Sequence, residues 1–393
     1  MTTLLEKEAQ RDIQLLRRAW ENKSTFAFLT EKTGVGHEWI EKSLSLLPDE
    51  MKNGHFVLLT SGTTGAPKLV IGQRQRSEKL AATLHQLQEG EPVEETILAL
   101  PLSYSYAFVN QWLWSHCHQR RLRLTSGLSD PTALRQALQQ ARNAMICLVG
   151  VQVPLLASYF QGQSFPGIIR VHFAGGRFPQ ENLPLVRALF PKATIFNNYG
   201  CAEALPRLTL RKAEEADQAA DVGRPLPGVE LSVNEATELL FRSPYRAVGI
   251  VEDAKFSLIP SEAWVKSGDL AQPTEQGTWR LLGRASEVFK RHGEKISLAT
   301  LMTTVTGAWT GQAVFYREPD SSGEDGCVLV LAPAPAPGQL QEILLSLRQH
   351  HGRAHWPLRI ECSAALPLLP NGKPDVHGAA VMKDKTRLWY QRI

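Results

Sequence analysis

The sequence predicts an α/β fold with largely parallel strand pairing, and three observations carry that expectation. Short apolar runs recur, at residues 97–102, 145–149, 168–174 and 193–196. Each passes into a polar or glycine-bearing loop and then a stretch with helical spacing, the rhythm of a sheet covered by helices. From Asp221 the texture changes to turn chemistry, Asp221-Val222-Gly223-Arg224-Pro225-Leu226-Pro227-Gly228. Short strands follow at 229–233, 238–242 and 279–282, which read as a small β subdomain. Finally, 393 residues at 43% hydrophobic and 21% charged make an ordinary globular chain with room for about two or three domains.

Taken in order, residues 1–23 read as one amphipathic helix, with Leu4, Leu5, Ile13, Leu16 and Trp20 near one stripe. Charges run through this stretch, so it lacks the apolar core of a signal peptide. Residues 24–55 are mixed and turn-rich. An apolar strand follows at 56–59, and 77–87 is a helix with Leu80, Leu84 and Leu87 on one face. The strand at 97–102 runs into Ser103-Tyr104-Ser105-Tyr106-Ala107-Phe108 and a Trp-rich helix at 109–116. Aromatic residues there can line a pocket or fill the core, and core is the more economical reading. Gly150 ends the next strand, and Gly175-Gly176-Arg177 the one after it. The strand at 193–196 leads into Asn197-Asn198-Tyr199-Gly200-Cys201-Ala202-Glu203. The Ala/Pro run at 332–337 reads as a loop, 339–350 as a helix, and Asn371-Gly372-Lys373 as a polar turn carrying one lysine.

Composition excludes several classes. A net charge of +4, with its densest basic patch only Arg120, Arg121 and Arg123, gives no case for nucleic acid. No apolar stretch is long enough to span a bilayer. The five cysteines are scattered, odd in number and without metal or redox spacing, which suits reduced thiols in a cytoplasmic protein.

The chain is organised around Thr60-Ser61-Gly62-Thr63-Thr64-Gly65-Ala66-Pro67-Lys68. Glycines let backbone approach a ligand closely. Their N–H groups, the hydroxyls of Thr60, Ser61, Thr63 and Thr64, and the charge of Lys68 can wrap a polyphosphate. The stretch is not a Walker A loop, because Gly62 and Gly65 are too close and Lys68 follows a proline.

This loop resembles the signature loop of the adenylate-forming enzymes: the acyl-CoA synthetases, the adenylation domains of peptide synthetases and the luciferases. Further stretches match that family in its own order. Asn198-Tyr199-Gly200-Cys201-Ala202-Glu203 resembles its Tyr-Gly-x-Thr-Glu motif, and Lys266-Ser267-Gly268-Asp269 its Thr-Gly-Asp motif. Gly283-Arg284 with Lys290 and Gly293 resembles the opening of its C-terminal domain, and Asn371-Gly372-Lys373 its terminal Asn-Gly-Lys. Each alone is weak, since such dipeptides are commonly turns; together they span the chain from the loop to Lys373.

The resemblance implies a large N-terminal core, 1–285, and a small mobile α+β C-terminal domain, 286–393, pivoting at Ser286. It implies that ATP and a carboxylic acid give an acyl-adenylate and pyrophosphate, and that a thiol then takes the acyl group. That thiol belongs to CoA or to the phosphopantetheine arm of an acyl carrier protein. Lys373 would stabilise charge at the α-phosphate, and Glu203 would hold Mg²⁺, a hard cation that prefers carboxylate oxygen. Thr60, Ser61, Gly62, Thr63, Thr64, Gly65 and Lys68 would cradle the outer phosphates. Asn198 and Tyr199 would lie at the adenine with Gly175 and Gly176, Asp269 would bind the ribose, and Arg284 would support ribose or phosphate. After the domain rotation, the turn around His292-Gly293-Glu294 would face the thiol's path. Loop order places the acyl pocket at Tyr104, Tyr106, Asn110, Val149, Val151, Arg177 and Asn197 beside Gly175. Tyrosines without long apolar grooves favour a compact acid, aromatic acids included, and no aspartate is evident for an α-amino group.

Three departures from the family pattern stand out. Ala202 replaces the usual threonine, Ser286 replaces the usual pivot aspartate or lysine, and the loop follows a shorter N-terminal stretch than typical members carry. The last suggests a more open acyl site, a partner that completes it, or a dedicated carrier protein. Ala202 and the short N-terminus leave a second expectation in play, a non-catalytic remnant that binds nucleotide or a partner.

Overall fold

A computed structural model describes residues 1–30, 35–61, 67–88, 92–215, 218–368 and 374–391. The chain divides into two compact units. The first comprises Met1–Ser267 with Gln272–Leu281, and the second Gly268–Ala271 with Leu282–Ile393.

The first unit opens differently from the single helix expected. Thr2–Leu5 is a strand, and the helix is two, Glu6–Arg11 and Ile13–Glu21. Asp12 makes the break: its backbone is extended (φ −140°) and its carboxylate accepts from the Gln14 N–H at 2.9 Å, capping the second helix. The strand survives because Thr2–Leu5 pairs in parallel with Phe26–Leu29, which pairs in parallel with His55–Ser61.

His55–Ser61 then pairs antiparallel with Pro67–Gln73. The phosphate-loop stretch therefore joins the arms of a hairpin. Thr60 lies opposite Lys68 and Ser61 opposite Pro67. Pro67, which lacks an N–H, is tolerated there because it is the first residue of its strand. Gly249–Glu252 and Lys255–Leu258 complete this six-stranded sheet.

The second sheet has eleven strands. Arg121–Leu124, Glu95–Leu98, Ala144–Leu148, Ile168–Phe173 and Thr194–Tyr199 lie side by side and parallel. Thr209–Lys212 and Asp221–Pro225 continue it antiparallel, and Glu230–Val233, Glu238–Arg242, Val265–Pro273 and Trp279–Arg284 extend the same sheet. The two faces of the parallel part differ. Ile146, Leu148, Val171, Phe173 and Ile195 share one face and pack with Leu134, Leu138, Leu156 and Val186 from the covering helices. Alternation sends Met145, Cys147, Arg170, His172, Phe196 and Asn198 to the other.

The Tyr-rich stretch divides between core and site. Ser105–Ala107 leads into a π-helical segment, Phe108–Leu113, and then Trp114–Cys117. Phe108 and Trp112 join Trp20 and Phe56 in an aromatic core, with ring centroids 4.9–5.9 Å apart. In the second unit, helices Leu298–Ala308 and Pro337–His350 pack on a four-stranded sheet of Gln312–Pro319, Asp325–Ala332, Arg359–Cys362 and Thr386–Tyr390.

Arg74 fastens the N-terminal helices to the hairpin. Its buried guanidinium donates to the carbonyls of Trp20 (2.7 Å), Ser24 (2.6 Å) and Ala19 (3.2 Å), and to that of Asn22. It also lies over the Trp20 and Phe26 rings. Arg74→Met should cost about 3 kcal/mol, because several buried carbonyls lose a charged donor at once. Urea unfolding checks this: the midpoint should fall with the slope unchanged, and an unchanged midpoint would refute the fastening role.

Candidate active site

At the tip of the hairpin the Lys68 ammonium donates to the Glu203 carboxylate. Both are largely out of solvent, with side-chain exposures of 9% and 15%. Glu203 sits in the short turn Ala202–Ala204 that follows Thr194–Tyr199. Its carbonyl accepts from the Ala247 N–H at 2.9 Å, which anchors the turn. The Thr60 hydroxyl, opposite Lys68, is buried with no partner among the described residues. Gly62, Thr63, Thr64, Gly65 and Lys373 lie outside the described residues, as does the side chain of Ser61.

Tyr199 ends its strand buried, and Gly200 beside it is obligatory. A Cβ there would come within 1.9 Å of the Pro206 carbonyl oxygen and 2.9 Å of the Arg207 Cα. The motif turn thus rests directly on the 206–207 backbone.

The expected acyl-pocket residues separate. Tyr106 and Asn198 meet: the Asn198 amide nitrogen lies 3.3 Å from the Tyr106 hydroxyl, 3.2 Å from His172 Nδ1 and 3.1 Å from the Phe173 carbonyl. Cys147 adjoins the Tyr106 phenol. Burial pushes the Cys147 thiol up to about 12 and the Tyr106 phenol well above its usual range. Burial, then the charges of Arg207 and Arg170, hold His172 well below the usual imidazole range. All three groups are neutral at ordinary pH. Tyr104 is half-buried, its phenol raised to about 12 by burial and then by the Glu6 carboxylate.

Asn110 is buried in the π-helical segment, and neither its amide oxygen nor its nitrogen has a partner among the described residues. Val149 lies 3.5 Å from where a Gly175 Cβ would stand, and Gly175 holds φ +76°. Gly176 is exposed beside it. The remaining three residues point elsewhere. Val151 is half-exposed. Arg177 pairs with Glu181 at 3.0 Å on the surface. Asn197, on the opposite face of its strand from Asn198, donates to the Asp221 carbonyl at 3.1 Å.

In the second unit Asp269 is buried, and Arg284 Nε donates to it at 3.0 Å. Gly268 holds φ +77° between the motif serine and Asp269. Ser286 is exposed in the turn Ala285–Glu287. His292 pairs with Glu324 at 2.7 Å.

Sequence reasoning passed over Cys147, His172 and Arg207. The signal for His172 was present: Arg170 and His172 stand two apart in an otherwise apolar strand, whereas a parallel strand buried on both faces reads as continuously apolar.

A family model described as AMP-binding enzyme matches residues 5–244. The chain is 26% identical over 371 residues to the delta-poly-L-ornithine synthetase of Acinetobacter baumannii, covering 86% of this chain and 26% of that protein. It is 25% identical over 290 residues to the 2-succinylbenzoate–CoA ligase of Enterococcus faecalis, covering 70% of this chain and 58% of that protein. The chain thus spans a quarter to somewhat over half of the length of these curated relatives. Among solved structures, the o-succinylbenzoate CoA synthetase of Bacillus subtilis in complex with its acyl-adenylate intermediate superposes with a TM-score of 0.74. That match has 18% identity and covers 98% of this chain and 89% of that one, a likeness of fold. With the family model matched over more than half its length, the chain belongs to the AMP-binding enzyme family.

Proposed function

We propose that this chain activates a carboxylic acid with ATP, releasing pyrophosphate, and passes the resulting acyl-adenylate's acyl group to a thiol of CoA or of a carrier-protein pantetheine arm. The observation that supports this most directly is the buried Lys68–Glu203 pair, poised where the glycine-rich stretch joins its hairpin. An ammonium and a carboxylate in contact neutralise each other until a polyphosphate arrives. The ammonium can then turn to phosphate oxygen.

The freed carboxylate and the unpartnered Thr60 hydroxyl are hard oxygen donors, and they fit Mg²⁺, which takes few protein ligands and completes its shell with phosphates and water. Bound there, the cation would offset phosphate charge. Tyr199 and Asn198 serve the nucleotide side and the acyl side of the same strand end. Asp269, steadied by Arg284, serves the ribose, and Lys373 the carboxylate's attack on the α-phosphate. Rotation about Ser286 would exchange Lys373 for the turn around His292 between the two half-reactions. One observation favours a different reading, a nucleotide-binding remnant: Ala202 carries no hydroxyl where the family motif has threonine.

Acid-dependent exchange of labelled pyrophosphate into ATP, across aryl, short-chain, fatty and amino acids, tests the proposal. Exchange, together with AMP rather than ADP formed when a thiol acceptor is supplied, supports it. The absence of exchange in a folded, ATP-binding sample would leave the remnant.

Two predictions follow from the assigned roles. Lys373→Ala should slow acyl-adenylate formation by about 100-fold or more while largely sparing transfer from a supplied acyl-adenylate. Single-turnover assays of each half-reaction read this, and equal loss in both would contradict the role. Lys68→Met should cost about 3 kcal/mol of stability, because it strands a buried carboxylate, and adding Glu203→Gln should recover much of that. A double-mutant cycle by denaturation that finds the two effects additive would refute the coupling.

A further inference from the structure

Arg207 is fully buried, at 3% exposure, and it differs from the other buried arginines. Arg74 is held by main-chain carbonyls, as are Arg211 and Arg246. Arg291 pairs with Asp320. The Arg207 guanidinium has no hydrogen bond and no acidic partner among the described residues, and its Nε is sealed from solvent. The titratable groups that its charge reaches are Tyr106, Cys147 and His172, and all three are neutral. A guanidinium keeps its proton wherever it is placed. Burying one without a counter-charge is strongly unfavourable.

A place for that counter-charge lies beside it. Arg207 lines a cavity of about 10 Å³, room for one occupant about the size of a water. Its polar lining is Gln88, Asn110, Arg170, His172 and Arg207, each more than nine-tenths buried, and the rest is leucine and Met145. Two of these five are guanidinium cations, and no carboxylate stands among the described lining residues. The other three can each turn a hydrogen inward. Both amide atoms of Asn110 are unpartnered among the described residues, so its nitrogen is available to donate. His172 Nδ1 accepts from the Asn198 amide nitrogen at 3.2 Å, so its ring proton sits on Nε2. The Gln88 oxygen is likewise unpartnered, and the Gln88 nitrogen meets the Met145 sulfur at 3.8 Å. Turning that amide over gives up one weak contact and adds a donor.

We propose that Arg207, with Asn110 and His172, binds a single monatomic anion, a chloride, as the counter-ion of this buried charge. The site is independent of the acid-activation reading. A water would complete the amide hydrogen bonds but leave two like charges side by side without compensation. A carboxylate, sulfate or phosphate carries the charge but does not fit the space of one water. A halide carries the charge, is close to water in size and accepts hydrogen bonds from any direction. It can therefore serve donors that converge from a helix and from two strands of the sheet. His172 links this site to its surroundings, since it lines the cavity and also holds Asn198, which meets Tyr106. An anion at Nε2 fixes the tautomer in which His172 accepts from Asn198.

The test uses the full chain exchanged into sodium gluconate, with sodium chloride then replacing gluconate at constant ionic strength. An ion bound by the folded state alone raises Tm with the logarithm of its concentration above its dissociation constant. The wild-type Tm should rise by about 5 °C at about 100 times that constant. Bromide should act as chloride does, and acetate or nitrate exchanged for gluconate should leave the Tm unmoved. Arg207→Gln should lose the halide response, and in gluconate its Tm should equal or exceed that of the wild type, because an uncompensated charge has gone. Asn110→Leu, which removes one donor at similar volume, should shift the response to about tenfold higher chloride, and it serves where Arg207→Gln does not fold. A Tm indifferent to halide, one that rises equally with acetate and nitrate, or a halide response that survives Arg207→Gln would overturn the proposal. Crystals grown in sodium bromide give a direct arm. An anomalous peak between Arg207 and Asn110 is expected, and a halide-dependent Tm without that peak would place the ion elsewhere and overturn the assignment.

Discussion

A lysine ammonium cannot be buried without an anion beside it, and the neighbourhood of Lys68 is arranged around that requirement. Lys68 belongs to the hairpin of the six-stranded sheet, and Glu203 to the turn closing a central strand of the eleven-stranded one. Their pairing ties the tips of the two sheets together where the glycine-rich stretch leaves the hairpin. The turn can present Glu203 only if Gly200 lies flat on the 206–207 backbone, where any Cβ would collide. The Ala247 N–H then holds the Glu203 carbonyl. One ion pair therefore fixes a glycine, a turn and the approach of two sheets. The arrangement is also exchangeable, because a polyphosphate and its cation offer each partner a replacement of the same sign.

The parallel sheet carries a second division of labour. One face is a conventional apolar core, and its counterpart buries Arg170, His172 and Asn198. A fold does not need these groups, and each is costly where it lies. Local rules tend to break at functional sites, and this face is where they break here. The π-helical segment carrying Asn110 packs over the same face, and such segments are frequent at functional sites.

The fold class was legible because parallel strands and covering helices write strong apolar periods. Other features were not legible for identifiable reasons. Asp12 looks like one more polar residue on a helix until its carboxylate is seen capping the second of two helices. Thr2–Leu5 is too short to announce itself without its partner Phe26–Leu29. Arg177 and Val151 follow strands, as the pocket residues do, but loop order carries no information on which way a side chain turns, and these face solvent. Asn197 and Asn198 are adjacent and identical, and only the period of two separates a structural clamp on Asp221 from a contact with Tyr106 and His172. Arg207 lies in a stretch that reads as a turn entering a strand, and nothing local marks it as buried.

The choice of arginine at that buried position itself carries information. A lysine or histidine placed among Tyr106, Cys147 and His172 would escape the desolvation cost by losing its proton. Arginine does not take that route, so the cavity keeps its positive charge across the whole ordinary pH range. The groups around it complement this permanence. The Tyr106 phenol and Cys147 thiol, which could have supplied a compensating negative charge, are pushed by burial far from ionising. His172, which could have added a titrating positive charge, is held neutral by burial and by the two arginines. What remains is two fixed cations, Arg207 and Arg170, among uncharged groups, a field that does not change sign as these neighbours titrate.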